Sequence, residues 1–344
     1  MISVYTDYDL IEECENKNYL FPLIKLLVEN NEVLSQEYQI STEIKKAHIA
    51  IFPIAVDFFL REKKNKKTLQ HFIDCAVREN KKIIVFTSGD IGLTINQNNV
   101  YTLRLGGFAS KIKEKGWIMP PFINDPYVFL QKKEAYLNKK TKPEIGFVGH
   151  SNGSLVKLIK EFLLYVRLNF KRTIGKECVD YQPFYPSSFF RHRFLTKLQN
   201  SNAVTTHFIF RKKYRAGVKN EDEKHKTSIE FYDNIYNNLY TFCMRGGGNF
   251  SVRLYETLAM GRIPVVLDTD CKFPFEKTID WQKNCIIVKD IEKRQLVQKI
   301  AAYHEMHSNE ELLTIQKENR LLWQEYATEA NFFIKFKNDI QKII

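Results

Sequence analysis

The sequence predicts an α/β protein built on two parallel sheets, and three observations lead there. Apolar runs of strand length at residues 2–6, 47–54 and 82–87 alternate with helix-patterned stretches, the pattern of parallel strands joined by crossover helices. A second series opens at residues 145–150 (IGFVGH), after a charged stretch that ends in KTKP. Proline and charge without apolar periodicity mark a linker, so the domain boundary is expected near residue 140. Finally, 344 residues are enough for two domains, and a composition 44% hydrophobic and 13% aromatic excludes a disordered chain.

In the first domain, residues 1–140, helical patterns at 19–29 and 67–79 separate the strand runs. Ligands of parallel sheets lie beyond the carboxyl ends of the strands. Asp57 follows the second run there, and Ser88-Gly89-Asp90 follows the third. Each aspartate is either a turn former, bonding its own backbone, or a carboxylate with a chemical task. Residues 103–126, with Gly106, Gly107, Pro120, Pro121 and Pro126, read as irregular.

In the second domain, residues 141–325, the strand ending in Gly149-His150 runs into Ser151-Asn152-Gly153 and a helix at 154–170. His150 is a ligand contact or a plain strand-end residue, and it has no companion at metal-ligand spacing. A helix at 189–200 carries Arg191 and Arg193 near its start; a strand at 204–210 ends at Arg211, whose side chain could reach a cleft. After residue 281 the pattern predicts a strand at 284–288, a helix at 291–303 and a helical stretch from 310 to 344.

Residues 242–281, FCMRGGGNFSVRLYETLAMGRIPVVLDTDCKFPFEKTIDW, carry the chemistry. They predict strand, loop, helix, strand, loop, with Ser251 capping a helix to about Met260 and IPVVL at 263–267 as the next strand. A glycine turn opening a helix directs unpaired N–H groups and the positive end of the helix dipole at one place, which favours an anion. Arg245 and Arg253 flank it, and arginine suits bidentate phosphate contacts. The triple glycine has neither the dinucleotide spacing nor a GKS or GKT, so it is a phosphate site or a bare turn. Glu256, little more than a turn beyond, can accept hydrogen bonds from vicinal ribose hydroxyls.

The motif RGGGNFSVRLYETLAMGRIPVVLDTD, followed by PFEKTIDW, resembles the C-terminal core of the exostosin-type glycosyltransferases, with weaker similarity from Ala47 to Tyr326. The resemblance implies a GT-B fold, two Rossmann-like domains facing each other across a cleft, with the donor nucleotide on the C-terminal one. It also implies that residues 326–344 form a terminal helix returning to the first domain. The donor-binding set is then Gly149, His150, Arg211, Arg245, Gly246, Gly247, Asn249, Ser251, Arg253, Glu256 and Asp270. The donor is expected to be a UDP-linked sugar with no metal required, and the acceptor a glycan or lipid-linked glycan in surface polysaccharide synthesis. Retaining GT-B enzymes often carry two glutamates eight positions apart, and counting back from Glu256 lands on Gly248. Inversion is therefore expected, with Asp90 as base and Asp57 as the second candidate.

Charge and cysteine usage narrow the setting. Six cysteines without a CxxC pair read as reduced thiols of an intracellular protein. The start of the chain lacks a signal-peptide pattern, unlike the membrane-anchored animal exostosins, so a soluble, cytoplasmic, bacterial enzyme is expected. A net charge of +12 gathers at 61–67, 139–142 and 211–215, and such patches can hold a protein to anionic lipid at roughly 1 kcal/mol per basic residue. Two other classes stay open. Asp268-Thr269-Asp270 is formally the DxD of a metal-dependent GT-A-like transferase, and the basic charge would suit a nucleic-acid binder. The latter lacks any recognised nucleic-acid motif, so no nucleic-acid partner is expected.

Overall fold

A computed structural model describes residues 1–62, 64–112, 114–212, 217–218 and 220–344. Its first sheet holds β1 (Ile2–Tyr5), β2 (Tyr38–Ser41), β3 (Ile49–Ile51), β4 (Ile83–Thr87), β5 (Val100–Arg104) and β6 (Gly116–Ile118) in the order β2-β1-β3-β4-β5-β6. All neighbours are parallel. Thr87 pairs with Arg104, so the loops that follow β4 and β5 leave the sheet side by side. The stretch 103–126, irregular by sequence, contains the end of β5 and all of β6. Long-range packing makes β6 a strand: Trp117 stacks on Tyr101 at 5.0 Å between ring centroids and meets Phe336 edge-on.

The second sheet holds β7 (Glu144–His150), β8 (Thr205–Arg211), β9 (Tyr240–Cys243), β10 (Ile263–Asp268) and β11 (Ile286–Lys289), again all parallel, in the order β11-β10-β9-β7-β8. Both faces are covered. Phe242 and Val265 enter one core, while their neighbours Cys243 and Val266 enter the other, as the two-residue period of a strand requires.

Helices α1 (Tyr8–Glu13), α2 (Pro22–Val28), α3 (Val56–Phe59) and α4 (Asn65–Arg78) belong to the first domain. In α4, Leu69, Phe72, Ile73 and Ala76 recur at helical spacing and are buried. The second domain carries α5 (Pro126–Leu130), α6 (Leu155–Thr173), α7 (Ser187–Gln199), α8 (Glu221–Tyr236), α9 (Val252–Ala259), α10 (Trp281–Asn284), α11 (Leu296–Met306) and α12 (Asn309–Tyr326). The helical stretch 310–344 is two helices, because the chain breaks at Ala327 and Thr328 before α13 (Glu329–Gln341). α13 buries Phe332, Phe333, Phe336 and Ile340 in the first core, and the Tyr38 hydroxyl donates to the Phe333 carbonyl at 2.7 Å.

Between β6 and β7 the chain crosses from one domain to the other. Phe122 packs on the first core and Ile123 on the second domain. Beyond them the Arg320 guanidinium pairs with Asp125, and the Tyr127 hydroxyl donates to the Met260 carbonyl at 3.0 Å.

The domains meet along their loop edges. Phe108 and Cys271 form an antiparallel bridge, and the Ala109 N–H donates to the Asp270 carbonyl at 2.9 Å. Arg104, 2% exposed, pairs at 2.8 Å with Asp180 of the second domain. Two parallel-sheet domains facing each other across a cleft are the GT-B arrangement the sequence resemblance implies.

Candidate active site

In the second sheet, β8 lies on one side of β7 and β9 on the other, so the strand order reverses beside β7. Crevices at such a reversal, outside the carboxyl ends of the strands, are where parallel sheets bind ligands. A cavity of about 820 Å³ opens there. Its floor is Gly149 and His150 from the end of β7, Arg211 from the end of β8, and Met244 and Gly246 to Gly248 after β9. One wall is the start of α9, with Ser251, Arg253 and Glu256. Another is α8, which presents Lys224, Ser228, Phe231 and Tyr232. Asp90 closes the cavity from the first domain.

The glycine loop is shaped by that closure. A Cβ on Gly248 would lie 1.9 Å from the Asp90 carbonyl oxygen, and one on Gly247 would lie 3.5 Å from Asp90 Oδ2. Only glycine lets the two backbones approach so closely. Gly246, by contrast, has nothing among the described residues within 4 Å of an added Cβ, so its side faces open space. Ser251 at the start of α9 makes no side-chain cap, which leaves unpaired N–H groups at the cavity edge.

Cations dominate the interior. Arg191 Nη1 donates to the His150 carbonyl at 2.8 Å and Nη2 to the Arg245 carbonyl at 3.0 Å, tying the end of β7 to the end of β9. Burial pushes its pKa down to about 10, which still leaves it a cation at neutral pH. Arg253 donates to the Val148 carbonyl at 2.7 Å, with its guanidinium over the Phe147 ring at 4.2 Å. Among the described residues neither arginine has a carboxylate within ion-pair distance, and each leaves Nε without an acceptor. Such groups are costly to bury and are relieved by an anion. Glu256 has the opposite problem: desolvation pushes its carboxyl up to about 7, with Arg253 pulling it down in part. Desolvation also raises the Asp90 carboxyl. His150 donates from Nδ1 to the Arg211 carbonyl at 3.1 Å, and burial lowers its pKa, so its ring is held neutral with Nε2 as the lone-pair nitrogen.

Residues 185–302, which run from the start of α7 through α8, the glycine loop and α9 into α11, match the model of the Exostosin GT47 domain. Over this stretch the chain matches an exostosin GT47 domain, a glycosyltransferase family. Solved structures give looser likenesses. A glycosyltransferase from Rickettsia africae ESF-5 is 12% identical, with 96% of this chain and 83% of that one covered, at a TM-score of 0.38. WaaG, a glycosyltransferase involved in lipopolysaccharide biosynthesis, is 9% identical over 98% of this chain and 99% of its own, at 0.33. At such scores the fold is read from this chain's own two sheets.

The second domain brings Gly149, His150, Arg211, Gly246, Gly247, Ser251, Arg253 and Glu256 into one cavity, with Asp90 of the first domain opposite. Four residues from the sequence reading stand elsewhere. Arg245, 3% exposed, turns away to Gln182 Oε1 at 2.6 Å and packs between Tyr185 and Phe108. It also donates to the Gly247 carbonyl at 3.1 Å, so it braces the loop from beneath. Asn249 is fully buried, donates to the carbonyls of Thr269 and Asp270, and accepts from the Thr269 hydroxyl. Asp57 accepts the Ser88 and Gly89 N–H groups at 2.9 and 2.7 Å, and thereby shapes the turn that presents Asp90. Asp270, at φ +67°, accepts from the backbone and hydroxyl of Ser110 in the first domain.

The GT-A alternative gives way to the two-sheet GT-B arrangement. Asp268 accepts the Cys271 N–H at 2.7 Å while Asp270 points to Ser110, so the two carboxylates serve a turn and a domain contact. The match to a glycosyltransferase family favours the enzyme reading over the nucleic-acid one. Of the basic patch at 211–215, Arg211 bonds Thr227 and Glu230; Lys213, Tyr214 and Arg215 lie outside the described residues, as does Lys63 of the patch at 61–67. Sequence reasoning gave Arg191 no task and passed over α8. The available signal was the spacing of Asn220, Lys224, Ser228 and Phe231, which puts a polar stripe ending in an aromatic on one helix face.

Proposed function

We propose that the protein transfers a sugar, with inversion, from a UDP-linked donor to a glycan or lipid-linked glycan acceptor in surface polysaccharide synthesis, as a bacterial enzyme of the cytoplasm. The observation that carries this reading is the meeting of Asp90 with the glycine loop in the cavity that also holds Glu256. The donor diphosphate sits on Gly246, Gly247 and the free N–H groups of α9, with Arg191 and Arg253 balancing its charge. Glu256 accepts the ribose hydroxyls. An acceptor hydroxyl entering from the first domain then lies against Asp90, which takes its proton as the oxygen attacks C1 of the sugar from the face opposite the diphosphate. The bond from C1 to the diphosphate breaks, and the leaving charge falls on the loop. The raised carboxyl of Asp90 supports the role of base, since proton transfer is most effective when acid and base strengths approach one another.

The test separates the two carboxylates. Glu256→Ala weakens UDP binding by roughly 1.5–3 kcal/mol, the range for hydrogen bonds to a charged group. Asp90→Asn lowers kcat on the order of a hundredfold with donor binding kept. Calorimetry with UDP and turnover with a panel of UDP-sugars check both. Unaltered UDP affinity in folded Glu256→Ala removes the ribose assignment, and near-normal turnover of Asp90→Asn removes the base.

A further inference from the structure

Helix α6 has no buried residue, although it follows a central strand of the second sheet. Its inner side rests on a loop rather than on the sheet. Tyr165 packs on Phe184 at 5.4 Å between centroids and shares a hydrogen bond with the Tyr181 hydroxyl, while Lys157 pairs with Glu161. Phe162 also packs edge-on to Phe184 at 5.3 Å, while the outer side carries Leu155, Ile159, Leu163, Val166 and Phe170, between 46% and 69% exposed. At helical spacing these five make one continuous stripe. Lys160, Arg167 and Lys171 run along one edge of it, and residues 155–176 hold six basic side chains against the single acidic Glu161.

We propose that α6 is an interfacial helix that seats the second domain on an anionic lipid bilayer. An exposed apolar stripe bordered by lysine and arginine is the chemistry of a helix lying in the headgroup region, with its apolar side at the acyl boundary and its cations on lipid phosphates. Among the described residues no helix is long and apolar enough to cross a membrane, and the polar inner side of α6 fits lying on a surface. Charge selects this occupant over a second copy of the chain. A two-fold contact through the stripe would set one row of Lys160, Arg167 and Lys171 near the other, whereas an anionic surface neutralises all three. The site is separate from the catalytic cavity, so it stands or falls independently of the donor and acceptor.

Co-sedimentation of the full chain with vesicles tests it. Phosphatidylcholine vesicles containing phosphatidylglycerol should bind the protein at least roughly tenfold better than phosphatidylcholine alone, and high salt should reduce the difference. Ile159→Ser with Leu163→Ser, and separately Lys160→Glu with Arg167→Glu, should each cut that binding roughly tenfold or more while circular dichroism stays unchanged. Absence of binding by the wild-type chain overturns the proposal, and so does binding that neither pair reduces. A wild-type dimer in ultracentrifugation that the serine pair converts to monomer assigns the stripe to a second copy instead.

Discussion

Glu256 shows how one side chain reports on the site from both sides. Its carboxyl rises from 4.5 to about 7 on folding because burial disfavours the charge. Between those values the folded state binds more protons than the unfolded, so stability falls as pH climbs through the window. Glu256→Gln removes that slope. The free variant should match or exceed the wild type at about pH 8 by up to ~3 kcal/mol, the worth of a shift of two to three units, and the gap should close toward about pH 5. Ribose hydroxyls favour the carboxylate, so UDP binding near neutral pH should release a proton from the wild type and none from Glu256→Gln. Denaturant melts across pH, with calorimetry in buffers of different ionisation enthalpy, measure both. Proton uptake on binding would show that the group meets the nucleotide in its acid form.

The glycine loop is the element where packing and chemistry separate. Gly248 is small because the Asp90 backbone lies against it, so Gly248→Ala forces a shift between domains and should cost roughly 1–3 kcal/mol of stability. Gly246 faces open space, and Gly246→Ala should leave stability within about 0.5 kcal/mol. If the diphosphate rests there, that same methyl weakens UDP binding by roughly tenfold or more, through lost close approach. Urea melts paired with UDP titration distinguish the two positions. Normal UDP affinity in Gly246→Ala would move the diphosphate off the loop.

At the scale of the whole molecule, the two domains meet through Arg104 and Asp180, the bridge at Phe108 and Cys271, and α13, and this holds the facing edges together around the cavity. The positive field of the cavity comes from Arg191, Arg253 and the α9 N-terminus. These can balance a leaving diphosphate without a divalent ion. Transfer should therefore persist in excess EDTA, measured as product formation from a UDP-sugar. Activity abolished by EDTA and restored by manganese would require a metal at the diphosphate, with ligands other than the diverging Asp268 and Asp270.

What the sequence determined by itself was local. Strand and helix periods made two α/β halves legible. The run from Arg245 to Asp270 marked the candidate loop, because turn glycines, a helix start and Glu256 are neighbours in the chain. The tertiary structure decided how residues far apart are used. Arg245 and Arg253 flank the same glycines, yet one braces the loop from a buried aromatic cage and the other lines the cavity. Asp57 and Asp90 both follow strands, yet among the described residues only Asp57 is held by backbone N–H partners. Arg191 became part of the site only when β7 and β9 came together beneath it. The physical reason is that a side chain's partners depend on which loops the two sheets bring edge to edge, and that pairing is long-range.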